Sequence, residues 1–117
     1  MANYQFNRES RLLTPDHFQK VFKKATRFNS QHITLLLSAN DNKSRIGFAI
    51  AKKRIKLAVQ RNRIKRIVRN SYRLNQHQLP NVDMIIMAKT GIEKLENKTI
   101  QQQIEKIWQK IIRRSFG

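Results

Sequence analysis

The segment from Lys52 to Arg73 limits how this chain can fold more than any other feature. It contains ten Lys or Arg residues in twenty-two positions and no Asp or Glu. Its apolar residues recur at helical spacing, which predicts a helix from about Leu57 to Gln76 with two unlike faces. One face can dock on a sheet, while the other presents basic side chains to solvent. The predicted buried face holds Leu57, Ile64, Ile67, Val68 and Ser71, and the predicted outward face holds Asn62, Arg66, Arg69 and Arg73.

The charge of this helix indicates a polyanionic partner. The whole chain has a formal net charge of +18, and no carboxylate side chain lies between Asp41 and Asp83. A solvated helix face normally mixes both signs of charge to limit repulsion, whereas this face carries one sign only. Arginine dominates it, with Arg61 and Arg63 on its flanks, and the planar guanidinium group pairs with phosphate and stacks on bases. We therefore expect a nucleic-acid partner with strongly salt-dependent affinity.

Composition excludes several other classes of function. The chain has no cysteine, which excludes disulfides and thiolate zinc sites. The three histidines are far apart and lack metal-ligand spacing, so we expect no metal or cofactor bound by the protein. No apolar run approaches the roughly 20 residues that a membrane span needs. A membrane-surface role would need Trp or Phe beside the charges, and the basic face offers none. The N-terminus lacks the apolar core of a signal peptide, so cytoplasmic residence is expected.

A first helix is predicted to begin at Thr14-Pro15-Asp16 and to fade near Ala25. Threonine can cap a helix, proline suits the first helical position, and an acidic residue complements the positive end of the helix dipole. Phe18, Val21 and Phe22 then fall on one face at helical spacing. From this spacing alone, the two phenylalanine rings are core residues of a short helix.

Three strands and a final helix complete the predicted order of elements. Residues 31–39 and 45–51 are apolar and β-branched enough for strands, and the turn residues between them predict a hairpin. The continuous apolar run from Val82 to Ala88 predicts a buried strand with neighbours on both sides. The segment from Lys98 to Arg114 predicts an amphipathic helix with Trp108 on its buried face. The resulting order, α-β-β-α-β-α, predicts a single-domain α/β sandwich, and a length of 117 residues fits one modest core.

One long pattern in the basic segment is highly specific. It consists of Lys52-Lys53 after a strand, a short loop, and then Ala58-Val59-Gln60-Arg61-Asn62-Arg63-Ile64-Lys65-Arg66-Ile67-Val68-Arg69 on a helix. This pattern closely resembles the signature of the bacterial ribonuclease P protein family, which is a paired Lys followed by Ala-x-x-Arg-Asn-Arg-x-Lys-Arg-x-x-Arg. The other predicted helices and strands also occur in that family's order, so the resemblance covers most of the chain.

This resemblance implies a fold, an activity and a set of contacts. The implied fold is an α/β sandwich with an unusual left-handed β-α-β crossover, where chain geometry alone favours the right-handed one. The implied activity is endonucleolytic removal of the 5′ leader from precursor tRNA, catalysed by an RNA subunit that requires Mg²⁺. Residues 11–117 would form the family's domain after a flexible basic tail over residues 1–10. The implied contacts to the catalytic RNA come from Lys52, Lys53, Arg61, Asn62, Arg63, Lys65, Arg66 and Arg69.

The resemblance also implies a second site, for the single-stranded leader. Phe18 and Phe22 would line a cleft between the first helix and the sheet, because aromatic rings stack on bases without sequence preference. Thr34 and Leu36 would form part of the cleft floor, and Arg11 would contact a leader phosphate. Many relatives carry an aromatic residue where this chain has Leu36.

The acidic residues do not make a nuclease site of their own. A self-sufficient nuclease needs a general base, metal-binding carboxylates, or both. The seven Asp and Glu residues form no motif, and Asp83 is predicted to be a strand-start residue. We therefore expect the protein to be non-catalytic by itself, as a subunit of an enzyme whose chemistry belongs to RNA.

Two other nucleic-acid functions stay open at this point. A general RNA-binding protein of the ribosomal type would share the charge and differ only in its partner. A DNA-binding regulator would place the basic helix in the major groove, which normally requires a helix-turn-helix or a dimer. Neither arrangement is visible in the sequence, and no obligate protein partner is expected.

Overall fold

The computed structural model describes Gln19, Lys23, residues 25–39 and residues 43–116. Four strands form one sheet, and two α-helices pack on one of its faces around a shared core. Short 3₁₀ turns follow the first of these helices and precede the second. The strands are β1 (Thr26–Asn29), β2 (Ile33–Ala39), β3 (Arg45–Ala49) and β4 (Val82–Ala88), the helices are α1 (Ala58–Asn75) and α2 (Asn97–Phe116), and the 3₁₀ turns are Gln76–Gln78 and Ile92–Lys94.

The sheet order is β1-β2-β4-β3, so the last strand in sequence lies inside the sheet. β4 pairs antiparallel with β2 and parallel with β3. The predicted hairpin between residues 31–39 and 45–51 is therefore wrong, because β4 separates the two strands. The hairpin of this sheet is formed instead by β2 and the short strand β1, which was not predicted from the sequence.

β4 confirms the prediction of a buried strand with neighbours on both sides. Its residues other than Asp83 are apolar on both faces, and Met84, Ile85 and Ile86 are fully buried. A continuous apolar run is typical of a strand that is buried on both faces, and here both edges of that strand are also paired. β4 thus occupies the position beside β2 that the predicted hairpin assigned to β3.

The main core lies between the sheet and the two helices. Ile64 and Val68 of α1 meet Ile104 and Trp108 of α2 there, and all four are fully buried. Burial of one such side chain stabilises the fold by about 1.5–3 kcal/mol. The buried placement predicted for Trp108 is confirmed, and its indole N–H donates a 2.8 Å hydrogen bond to the hydroxyl of Ser71.

The start of α1 departs from the prediction in one respect. The helix begins at Ala58, and Leu57 is an extended residue just before it. Leu57 is 63% exposed and does not belong to the buried face, which was wrongly predicted to include it. Helical periodicity applies only inside the helix, so it cannot place a side chain that lies one residue before the first turn.

Two predicted features remain, namely the first helix with its preceding tail and the β-α-β crossover. Gln19 and Lys23 are helical, as expected for the first predicted helix, and the rest of that helix and the tail over residues 1–10 lie outside the described residues. The parallel unit β3-α1-β4 required for the crossover is present. Its left-handed sense stays a prediction from the family resemblance.

Candidate nucleic-acid interface

The outward face of α1 forms an open groove of about 330 Å³. Three of its residues, Asn62, Arg66 and Arg69, were predicted to contact RNA, and all three are exposed. Arg73 was predicted on the outward face, whereas Asn70 was missed. Asn70 lies four residues after Arg66, and this helical spacing is the signal that could have placed Asn70 on the outward face. The groove is lined by Asn62, Arg66, Arg69, Asn70 and Arg73.

Two arginines of this groove are held in place by neighbouring side chains. The guanidinium carbon of Arg69 lies 5.3 Å from the centroid of the Phe48 ring, within the range of a cation–π contact. Arg73 donates a 2.6 Å hydrogen bond to the side-chain oxygen of Asn70. Arg66 has no hydrogen-bond partner for its side chain among the described residues. The groove thus combines two oriented guanidinium groups with one that is available to a ligand.

The loop before α1 adds a second group of cations. Lys52 and Lys53 lie in a turn and are exposed. The backbone N–H groups of Arg54 and Ile55 both donate 3.1 Å hydrogen bonds to the carbonyl of Ala51, which closes this turn. Ile55 is 1% exposed and anchors the loop in the core, so the lysines are presented to solvent from a fixed base.

The flanking arginines of α1 turn toward the protein instead. Arg61 donates hydrogen bonds of 2.8 and 2.9 Å to the backbone carbonyls of Ile55 and Lys56. Arg63 donates to the carbonyls of Glu93 and Leu95 at 3.0 and 3.2 Å. Lys65, the remaining cation predicted to contact RNA, is half-buried. Helical spacing predicted the flanking positions of the two arginines. It could not predict the acceptors of their hydrogen bonds, because every residue has a backbone carbonyl.

The sheet face opposite the helices carries the two strand residues predicted for the leader cleft. Leu36 pairs across strands with Ile85, and Thr34 pairs with Met87, so these side chains share one apolar surface. The hydroxyl of Thr34 donates a 2.9 Å hydrogen bond to the side-chain oxygen of Asn29. Both strand residues are buried. The other cleft residues of the prediction, Phe18, Phe22 and Arg11, lie outside the described residues.

Two other features are absent from the described residues. Within the described ranges, no three His, Cys, Asp or Glu side chains come together in a way that could hold a metal ion. No helix in the same part of the chain is both long and apolar enough to cross a membrane.

Comparison with known proteins decides the family. The family model described as Ribonuclease P matches residues 6–112. The chain belongs to the ribonuclease P protein family. It is 48% identical over 118 residues to the ribonuclease P protein component of Vibrio cholerae, and the match covers 100% of both chains. It is also 48% identical to the corresponding component of Vibrio parahaemolyticus over 120 residues, again with 100% coverage of both.

Solved structures of ribonuclease P proteins share this fold. The Staphylococcus aureus protein matches with a TM-score of 0.79 at 24% identity, covering 86% of this chain and 93% of that chain. The Thermotoga maritima protein matches with a TM-score of 0.76 at 22% identity, covering 86% and 96%. The α/β sandwich predicted from the sequence is confirmed. As a member of the ribonuclease P protein family, the chain is a protein component of that ribonucleoprotein endonuclease.

Proposed function

We propose that this chain binds the catalytic RNA of ribonuclease P and the 5′ leader of precursor tRNA, and thereby promotes removal of the leader. The observation that carries the proposal is the groove on α1 together with the exposed Lys52 and Lys53 beside it. No acidic residue occurs in the sequence between Asp41 and Asp83, so these elements carry no carboxylate of their own. A surface of this kind attracts the phosphates of a folded RNA.

Charge neutralisation accounts for the expected effect on the reaction. Two RNAs must approach closely when precursor tRNA meets the catalytic RNA, and their phosphates repel each other. Lysine and arginine side chains at the junction reduce that repulsion, so fewer Mg²⁺ ions are needed for the same affinity. The chemistry itself belongs to the RNA with its Mg²⁺, and the protein contributes binding and positioning. The cytoplasm is the compartment we propose for this reaction.

The leader is proposed to lie across the sheet face opposite the helices. Thr34 and Leu36 lie on this face with Ile85 and Met87. The first three are buried and Met87 is half-buried, so the strands supply the apolar base of the cleft, and most of the contact surface must come from the residues above it. The family resemblance adds Phe18 and Phe22 as stacking rings and Arg11 as a phosphate contact. Stacking on apolar and aromatic surfaces is tolerant of sequence, which suits leaders that differ among tRNAs.

The first experiment is cleavage of precursor tRNA by the catalytic RNA at low Mg²⁺, with and without the protein. Strong stimulation is expected, and it should be lost in an Arg66→Ala, Arg69→Ala variant. The matched control is Lys106→Ala, Arg113→Ala, which removes the same charge from exposed positions of α2. Equal losses in both variants would mean that total charge, rather than the groove, drives stimulation.

The same assay separates this proposal from a general RNA-binding function. A specific subunit should bind the catalytic RNA more tightly than ribosomal RNA of similar length at physiological salt. Equal affinity for both RNAs, without stimulation of cleavage, would favour a general RNA-binding protein. Preference for duplex DNA over both RNAs would favour a DNA-binding regulator.

The leader contact needs its own test. Phe18→Ala and Phe22→Ala should weaken binding of precursor tRNA to the assembled enzyme and leave binding of mature tRNA unchanged. The loss should disappear when the precursor carries no leader. If both variants bind precursor tRNA as tightly as the unaltered protein, the proposed leader cleft is wrong.

A further inference from the structure

The Arg61-Asn62-Arg63 triplet divides into one outward and two inward residues. Successive residues of a helix are rotated by about 100°, so three consecutive side chains cannot all face the same ligand. Asn62 lines the outward groove. Arg61 and Arg63 leave the helix on its two flanks and contact different parts of the same chain. These contacts show which segment of the chain each arginine attaches to α1.

Arg63 connects α1 to the segment that leads into α2. Its guanidinium group donates to the carbonyl of Glu93 at 3.0 Å, to the carbonyl of Leu95 at 3.2 Å and to the side-chain oxygen of Asn97 at 2.5 Å. A further hydrogen bond of 2.9 Å goes to the side chain of Gln60, one turn earlier on α1. All three nitrogens of the fork are therefore engaged, and three of the four acceptors belong to residues 93–97.

Arg61 holds the basic loop on the other flank. One nitrogen of its guanidinium group bonds to the carbonyls of both Ile55 and Lys56. These two residues lie just after Lys52 and Lys53, in the loop that Ile55 anchors in the core. The contact therefore ties the first turn of α1 to the base of the loop that presents the lysines.

We propose that Arg63 is a positioning residue, which fixes the groove for RNA instead of contacting phosphate itself, and that Arg61 holds the basic loop in place through one guanidinium nitrogen. This inference rests on the proposed RNA-binding function. Hydrogen bonds from a charged donor are stronger than those between neutral groups. Turning the guanidinium groups toward RNA would break several of these hydrogen bonds within the protein. The outward residues Asn62, Arg66 and Arg69 are left to make the contacts.

Lysine substitution separates positioning from contact. Lysine keeps the positive charge, and as a compact point charge it can still bind a phosphate. It cannot reproduce a planar fork that reaches three acceptors spread over residues 93–97. A contact role therefore predicts that Arg63→Lys retains most of the RNA affinity. A positioning role predicts that Arg63→Lys behaves like Arg63→Gln.

The first measurement is amide hydrogen exchange of the free protein. In Arg63→Lys, exchange at the amides of Lys94 and Leu95 should rise about tenfold or more, because their segment loses its attachment to α1. The 3₁₀ turn formed by these amides, with hydrogen bonds to Gly91 and Ile92, is the local reporter. Asn97→Ala removes only one acceptor and should raise the same exchange rates by a smaller factor. It also provides a milder variant if Arg63→Lys does not fold.

The second measurement is the affinity for the catalytic RNA as a function of salt. Arg63→Lys and Arg63→Gln should both lose about tenfold in affinity, and Asn97→Ala should lose part of that amount without any change in charge. The salt slope of Arg63→Lys should stay that of the unaltered protein. Arg61→Ala removes the nitrogen that holds the carbonyls of Ile55 and Lys56, and it should raise amide exchange locally at Ile55.

Three outcomes would overturn the inference. The first is full affinity in Arg63→Lys together with a reduced salt slope in Arg63→Gln, which is the pattern of a phosphate contact. The second is an unchanged exchange rate at Lys94 and Leu95 in Arg63→Lys. The third is faster exchange without loss of RNA affinity, which would make the contact purely structural. Failure of the unaltered protein to bind the RNA is a separate result, and it would count against the proposed function itself.

Discussion

Arg45 on β3 faces Asp83 on β4 across the parallel strand pair, and their side chains share hydrogen bonds of 2.7 and 2.9 Å. The Asp83 side chain is 7% exposed and that of Arg45 is 21% exposed. Loss of Asp83 removes one acceptor group and one counter-charge from the largely buried Arg45 side chain. Asp83→Ala should therefore lower the free energy of unfolding by about 3 kcal/mol, as measured by urea denaturation followed by Trp108 fluorescence.

The control for this ion pair is a double-mutant cycle with Arg45→Ala. The double variant should be less destabilised than the sum of the two single variants, because neither charge is then left alone. Strict additivity would mean that the two side chains stabilise the fold independently of each other. In that case, Asp83 would stabilise β4 through its own packing and not through its pairing with Arg45.

A second buried polar contact joins the two helices. The indole N–H of Trp108 on α2 donates to the hydroxyl of Ser71 on α1 at 2.8 Å, and both residues are buried. Ser71→Ala removes the acceptor and leaves the N–H unsatisfied in the core. The free energy of unfolding should fall by about 1–3 kcal/mol. Thermal unfolding by circular dichroism measures this loss, and the exposed Gln109→Ala on α2 should change little.

Removal of both partners tests whether the hydrogen bond is the cause. Trp108→Phe deletes the donor, so adding Ser71→Ala to it should cost little further stability. If Ser71→Ala destabilises the protein equally with and without the indole N–H, the effect comes from packing around Ser71 instead.

The sequence was sufficient where periodicity and burial agreed. The apolar run of β4 predicted both its bounds and its central place in the sheet. The alternation of apolar and basic residues on α1 predicted the outward positions of Asn62, Arg66 and Arg69. The pattern extends over seven residues in β4 and over several turns in α1, so one residue that departs from it does not change the prediction.

The sequence was insufficient where distant parts of the chain compete or meet. The turn residues after β2 predicted a hairpin, but no local signal reports that β4 will insert between β2 and β3. β1 has only four residues, with Phe28 as its one buried side chain, so its alternation is too short to recognise. Three of the four acceptors of Arg63 lie 30 or more residues away, and two of these are backbone carbonyls, which every residue possesses.

Gly91 has the only positive φ among the described residues, at 102°. A side chain at this position would be strained, because L residues rarely adopt this conformation. Gly91→Ala should lower the free energy of unfolding by about 1–2 kcal/mol, which chemical denaturation can measure. An added Cβ would lie 3.7 Å from the His32 ring, an ordinary contact, so crowding is not the cause.

Asparagine provides the control for this backbone effect. It tolerates the left-handed region better than alanine does, so Gly91→Asn should be less destabilising than Gly91→Ala although its side chain is larger. The opposite ranking would point to crowding against His32. Because the amide of Lys94 donates its hydrogen bond to the carbonyl of Gly91, Gly91→Ala should also speed amide exchange at Lys94.

Arg66 offers the most direct test of how the groove binds RNA. It is exposed on the groove, and its side chain has no hydrogen-bond partner among the described residues. Each phosphate neutralised by the protein contributes about 0.7–0.9 to the slope of log affinity against log salt. Arg66→Gln should therefore reduce that slope by about this amount and weaken binding to the catalytic RNA, as measured by filter binding over a salt series. Lys106→Gln removes the same charge from an exposed position of α2 and should leave the slope nearly unchanged. If both variants reduce the slope equally, the RNA responds to the net charge of the protein, and the groove on α1 is not a defined binding site.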